Sequence, residues 1–395
     1  MAEIIEEVTE PGLLDSTFIE KMDTTNVLLA AIASGTGGYP IKSYADVQSI
    51  TRLGLAPKVF SIGDIFEVTK ETSSDTKVLQ FVITNFNGET PVDKTKKYSI
   101  QLQLLDCYNS IQYDNTEALY YCEQELSAGT YNFTLLANYD VNYGGGQTYQ
   151  FTLTKSVPAG GVIMFPWSYN TQASATKVST YESRQATSAI ETVTASSGDS
   201  GVSLGTADGK STNMNHTHRI RYGSNNWKES AMRQWLNSNA KAGTFWAPQT
   251  VFDRPPSWEK SLDGWMNGLD TEFLAVLGKV KLITARNTVN EDGGSDITED
   301  LFYLPSRPQI YGGKENNIDE GEAWEYYSAN SDNSSTSTRA DKNRIKYLNN
   351  NKHWWWIRTP SIGYAGNVFS IYADGSLHNH SVYDTLGAVP ACSII

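Results

Sequence analysis

Few residues of this chain are spaced for catalysis. Four of its five histidines form two His-x-His pairs, His216/His218 and His378/His380. On a strand each pair would share a side, where two imidazoles can ligate a metal. Around Asn215-His216-Thr217-His218 neither a Cys/His pair nor HExxH spacing completes a ligand set, so a structural role is the better reading. Asp319-Glu320-Gly321-Glu322 gathers carboxylates that would suit calcium. The run lacks the EF-hand loop, so a solvated acidic loop is expected and no cofactor is required. Cys107, Cys122 and Cys392 form no CxxC; free thiols are expected, with a Cys107–Cys122 bridge as the alternative. A P-loop and a GxGxxG placed after a strand are missing, GxSxG occurs only as Gly201-Val202-Ser203-Leu204-Gly205 within a Gly/Ser/Asp-rich stretch, and an enzyme is not expected.

The chemistry that remains is recognition. Thr359 to Thr385 reads TPSIGYAGNVFSIYADGSLHNHSVYDT and contains no Lys, Glu, Gln, Met or Trp. Those five residue types cannot arise when an Asn codon ending in a pyrimidine has its two adenines replaced by any base. The bland alternative is a Tyr/Ser/Asn-rich surface loop whose missing types are chance. The sharper reading is a surface whose residues are meant to be exchanged. Tyr gives rigid contact area and Ser, Asn and His give adaptable hydrogen bonds, as in a paratope. Val368 and Ile371 are candidate buried anchors. Their odd spacing puts them on opposite faces of a regular strand, so one shared face would need a bulge. The exposed set is then Tyr364, Asn367, Phe369, Ser370 and Tyr372, with Ser361, Ile362 and Gly366 ahead of them. After a turn at Asp374-Gly375, His378, Asn379, His380, Tyr383 and Asp384 make a second row.

The flanks are of another kind: Trp354-Trp355-Trp356-Ile357-Arg358-Thr359-Pro360 leads in, and Val389-Pro390-Ala391-Cys392 leads out. With Tyr222-Gly223-Ser224-Asn225-Asn226-Trp227 and Arg233-Gln234-Trp235-Leu236-Asn237, the chain resembles the variable proteins of diversity-generating retroelements, which include phage tropism determinants. The resemblance covers roughly Pro57 to the C-terminus, most specifically from Asn215 onward. It implies an α+β, C-type-lectin-like domain related to the formylglycine-generating-enzyme fold, with a variable ligand-binding region at 359–385. It also implies a receptor-binding protein at a phage tail-fibre tip, probing a bacterial surface protein or glycan as a homotrimer. A bacterial surface lectin-like adhesin and an invariant structural virion protein are the alternatives. The formylglycine-generating enzymes use a cysteine pair, and Cys392 has no sequence neighbour to act as partner.

The elements that must position this surface can be read from periodicity. Phe18, Met22, Thr25, Leu29 and Ile32 alternate in fours and threes over 13–33, a short seam suited to an oligomerisation neck or to docking on its own domain. Ser43 and Asp46 form a capping box, with Gly54 as a stop. Residues 1–54 are taken as the neck and 55–108 as the start of the lectin-like domain, with strands around 66–68, 78–83 and 98–104. An inserted β-rich domain spans 109–194, where Tyr131/Phe133/Leu135 and Tyr149/Phe151/Leu153 alternate on either side of Gly144-Gly145-Gly146. Residues 195–212 read as a linker or long loop, and 195–395 as the rest of the lectin-like domain. Asn226 and Glu229 suggest a capping box for a helix bearing Trp227, Ala231 and Trp235; Asp270 caps another. Trp246, Trp258, Trp265, Trp324 and Trp354 to Trp356 are expected to anchor long loops.

A net charge of -13 argues against nucleic acid. No apolar run is long enough to span a bilayer, so no membrane insertion is expected. The acidic start, MAEIIEEVTEPG, lacks signal-peptide features, which fits synthesis in a bacterial cytoplasm and assembly into a virion.

Overall fold

A computed structural model describes residues 43–115, 119–121, 124–135, 148–159, 162–164, 191–192, 195–207, 217–218, 225–249, 255–288, 291–327, 342–364 and 366–395. Strands dominate, with five short α-helices among the described residues, a mixed α+β architecture. The proposed neck at 13–33, the Gly144–Gly146 turn, His216 and Cys122 lie outside the described residues. No described helix is long and apolar enough to cross a membrane.

Two five-stranded sheets carry the core. In the first, Ile65–Glu71, Thr76–Phe86, Ile100–Leu104, Ala391–Ile394 and Phe302–Tyr303 lie side by side, every neighbouring pair antiparallel. The alternating stretches read from sequence supply its first three strands. The chain's last strand is wedged between one from near residue 100 and one from near residue 300. Ile100–Leu104 is buried at every position, and its glutamines are satisfied: Gln101 donates to Ser99 and accepts from Gly88, while Gln103 donates to the Val389 carbonyl. The second sheet runs Leu377–Ser381, Asn367–Ile371, Trp355–Pro360, Thr385–Gly387, Ser110–Gln112. It carries the candidate site.

Capping follows the sequence at two helices. Ser43 and Asp46 form the box that starts Tyr44–Arg52, and Gly54 follows its end at φ +70°. Asp270 accepts from the amides of Glu272 and Phe273 at the head of Thr271–Val276. The Asn226 box does not form. Asn226 accepts from the Lys228 amide in a turn and donates to Glu291 and Asp296, so Ser230 becomes the cap of Ala231–Leu236. Trp227 and Arg233 then meet on the two carboxylate oxygens of buried Asp300.

In the β-rich region, Gly129–Leu135 pairs antiparallel with Thr148–Leu153, burying Tyr131, Phe133, Phe151 and Leu153. The linker or long-loop reading of 195–212 is corrected over 195–207; residues 208–212 lie outside the described residues. Ala195–Ser197 and Val202–Ala207 are the two edge strands of this same sheet, the second parallel to Gly129–Leu135. The turn between them is pinned by buried Asn132, whose amide donates to the carbonyls of Asp199, Ser200 and Gly201. Gly201 has φ +87°, and a β-carbon there would sit 2.0 Å from the Thr130 oxygen, so glycine is required.

Candidate functional site

Asn367–Ile371 and Leu377–Ser381 form a regular hairpin in which Val368 faces His380, Ser370 faces His378 and Ile371 faces Leu377. The turn is where Asp374-Gly375 placed it. The Gly375 amide returns to the Tyr372 carbonyl, Gly375 takes φ +86°, and the Asp374 carboxylate accepts from the Ser376 amide and hydroxyl. The hairpin has no bulge between Val368 and Ile371. They point to opposite faces, and both are fully buried because each face is covered at that point.

Alternation therefore splits the expected binding set in two. Asn367 bonds Asn379 and Ser381 on one face, which also holds Phe369 beneath the Arg307 guanidinium, 5.0 Å from its ring centre. On the other face lie Ser370, Tyr372, His378 and His380. Ser370 is buried rather than exposed, its hydroxyl 2.8 Å from His380 Nδ1. Ser361 and Gly366 are also buried; Ile362, Tyr364, Asn367, Phe369, Tyr372, Asn379, His380, Tyr383 and Asp384 are half-buried, and His378 is exposed.

The second face gains a residue that sequence assigned to the frame. Trp355 and Trp356 are fully buried, their indoles donating to the Arg344 and Ile111 carbonyls, but Trp354 is 42% exposed. Its ring stacks on Tyr372 at 4.5 Å and 20°, and Tyr372 stacks on His378 at 4.3 Å and 8°. His380 flanks this column, 4.9 Å from Trp354 and 5.3 Å from Tyr372. Burial, with help from His378, lowers the His380 pKa to about 4, so its imidazole is neutral at pH 7. Burial, reinforced by Asp374, raises the Tyr372 phenol.

Beneath the hairpin the frame holds the segment by its main chain. Asn225, fully buried, donates its amide to the carbonyls of Tyr364 at 2.7 Å, Asn367 at 2.9 Å and Ser361 at 3.4 Å. Asn287 donates to Asn225 Oδ1, which fixes the amide's orientation. The Thr288 amide and hydroxyl both reach the Ile362 carbonyl. Arg344 donates to the Gly375 carbonyl and Gln112 to the Tyr383 carbonyl, and the amides of Tyr113 and Asp114 converge on that of Val382.

The lead-in strand is set in a buried polar network. Arg358 donates to the carbonyls of Leu304 and Glu320 and to Gln309 Oε1. Glu320, read as part of a solvated acidic loop, is instead buried, one oxygen accepting from the Ala285 amide and the other from the Thr359 hydroxyl. Asp319 pairs with Lys314 at the surface. Among the described residues no cluster of three or more His, Cys, Asp or Glu could hold a metal. Glu89, bonded by the Gln309 amide, is raised to about 7 by burial, against the pull of Arg358. Cys107 and Cys392 are free and buried; burial pushes Cys107 up to about 12 and Cys392 well above its ordinary value.

Sequence reading missed Asn225, Thr288, Arg307 and Trp354. One signal was available: Asn225 and Trp354 both sit in stretches that carried the resemblance. No curated protein and no solved structure matches the chain. Residues 202–395, which include the whole hairpin and its Trp354 neighbour, match the family model described as a domain of unknown function, DUF6273.

Proposed function

We propose that the chain is a diversity-generating-retroelement variable protein, a phage or prophage receptor-binding protein displaying exchangeable side chains on a C-type-lectin-like domain. The observation that carries this reading is how the segment is attached. Its ties to Asn225, Thr288, Arg344, Gln112, Tyr113 and Asp114 end on carbonyls, which every residue type supplies. A surface can change its side chains without unfolding only if its backbone is fixed by groups that do not change. The residue types of Thr359 to Thr385 match such exchange, and the long loops anchored by buried tryptophans support the lectin-like fold. Cys107 and Cys392, held protonated by burial, are unsuited to the thiol chemistry of the formylglycine-generating enzymes. The ligand is a bacterial surface protein or glycan, met at a tail-fibre tip by a homotrimer.

The test is a pair of libraries. Tyr364, Asn367, Phe369, Tyr372, His378, Asn379 and Tyr383 are randomised without Lys, Glu, Gln, Met or Trp, and the same mixture is placed at Trp355, Trp356 and Ile357. Most members of the first should fold, with melting temperatures within a few degrees of the parent, and most of the second should not. Equal loss of folding in both would remove the reading.

A further inference from the structure

Trp354, Tyr372 and His378 are stacked on one another, and the two rings that end the column are its exposed members. Trp354 belongs to the flank rather than to the exchangeable segment, and tryptophan is a type the codon argument forbids within it. It is thus the one ring of the column that exchange leaves in place. We propose that this column is a carbohydrate-stacking subsite, with Trp354 as its constant platform and positions 372 and 378 as its adjustable part.

Shape and polarity select the ligand class. The exposed rings here are Trp354 and His378, with Tyr372 half-buried between them. Asn349, Asn350, Asn351 and Lys352 on the approach to Trp354, and Asp374 at the turn, are polar and exposed. A protein partner needs an apolar core inside an interface of about 800 Å² per side. A pyranose needs much less: one flat face of C–H groups to lie on a ring, and polar neighbours for its hydroxyls. The imidazoles of His378 and His380 lie at this column and can donate or accept. Rings already stacked lose little freedom on binding, which matters most for weakly held ligands such as sugars. The inference rests on the proposed ligand face and narrows its ligand.

The full chain is applied to a printed array of bacterial capsular, O-antigen and cell-wall glycans, beside Trp354→Ala and Trp354→Phe variants whose folding is checked by thermal melting. Binding to at least one glycan is expected, falling tenfold or more in Trp354→Ala and staying within about threefold in Trp354→Phe. Folded parent protein that binds no glycan on the array, or a Trp354→Ala variant that binds as the parent does, overturns the inference. A receptor that proves to be a protein contacted through Tyr364 or Phe369 would do so too. Each of these results leaves the exchangeable face standing, because that reading is tested by the paired libraries and not by the class of ligand.

Discussion

Trp354 lies just ahead of the strand that Trp355 opens, one exposed and the other fully buried, and their substitutions should differ accordingly. Trp355→Ala empties a fully buried site and removes a donor from the Arg344 carbonyl, so it should destabilise by about 3–5 kcal/mol in chemical denaturation. Trp354→Ala should cost about 1 kcal/mol, since the residue is 42% exposed and its loss opens no buried cavity. Equal losses would show that Trp354 is core. Two residues give opposite pH dependences. Glu89 has its pKa raised from 4.5 to about 7 in the folded chain, so between those values the folded state holds the extra proton and stability falls as pH rises. Over that window the loss amounts to about 3 kcal/mol. His380 is lowered from 6.5 to about 4, so there the unfolded state holds the extra proton and stability rises with pH. Glu89→Gln should therefore stabilise the chain at pH 8 and turn the trend of melting temperature between pH 5 and 7 more positive. An unchanged trend would mean that Glu89 is solvated.

At the scale of elements, the cradle under residues 361–367 is the least redundant part of the site. Asn225→Ala removes the amide shared by the Ser361, Tyr364 and Asn367 carbonyls. The Ser361 and Asn367 carbonyls keep the backbone donors of Tyr364 and Ser361, so the loss falls on the Tyr364 carbonyl and should cost roughly 1–3 kcal/mol. Amide exchange should accelerate over 361–367 while Ile100–Leu104 stays protected; uniform acceleration would mean global rather than local loosening. What could be read beforehand was local. The Ser43 box, the Asp270 cap, the Asp374-Gly375 turn and the alternating strands each depend on residues a few positions apart. What could not be read depended on distant partners. Ala195–Ser197 and Val202–Ala207 are rich in Gly, Ser and Asp around their turn, as a linker would be, and become strands because Asn132 and a hairpin more than forty residues earlier receive them. Asn226 looked like a cap, but Glu291 and Asp296 claim its amide. The binding row looked like one surface because composition does not reveal parity; the hairpin register does, and it divides Phe369 from Tyr372.

For the whole molecule, the expected state is a homotrimer. Its candidate seam, Phe18, Met22, Thr25, Leu29 and Ile32, is too short to be stable alone in water and needs partners along its apolar side. Several weak sites brought to one cell surface would raise avidity by roughly 10²–10⁴-fold without a new contact. Light scattering on the full chain should give the trimer mass at micromolar concentration, and a chain starting at Tyr44 should show a weaker assembly. A monomeric full chain would remove both the neck and the avidity. The central claim, a face built for exchange on a backbone that does not change, is tested most directly by sequencing this gene and its surroundings in related genomes. The account predicts substitutions concentrated at adenines of codons within 359–385, with a near-identical template repeat beside a reverse transcriptase and Trp354 to Arg358 unchanged. An invariant segment, or substitutions spread evenly over the domain, would contradict it.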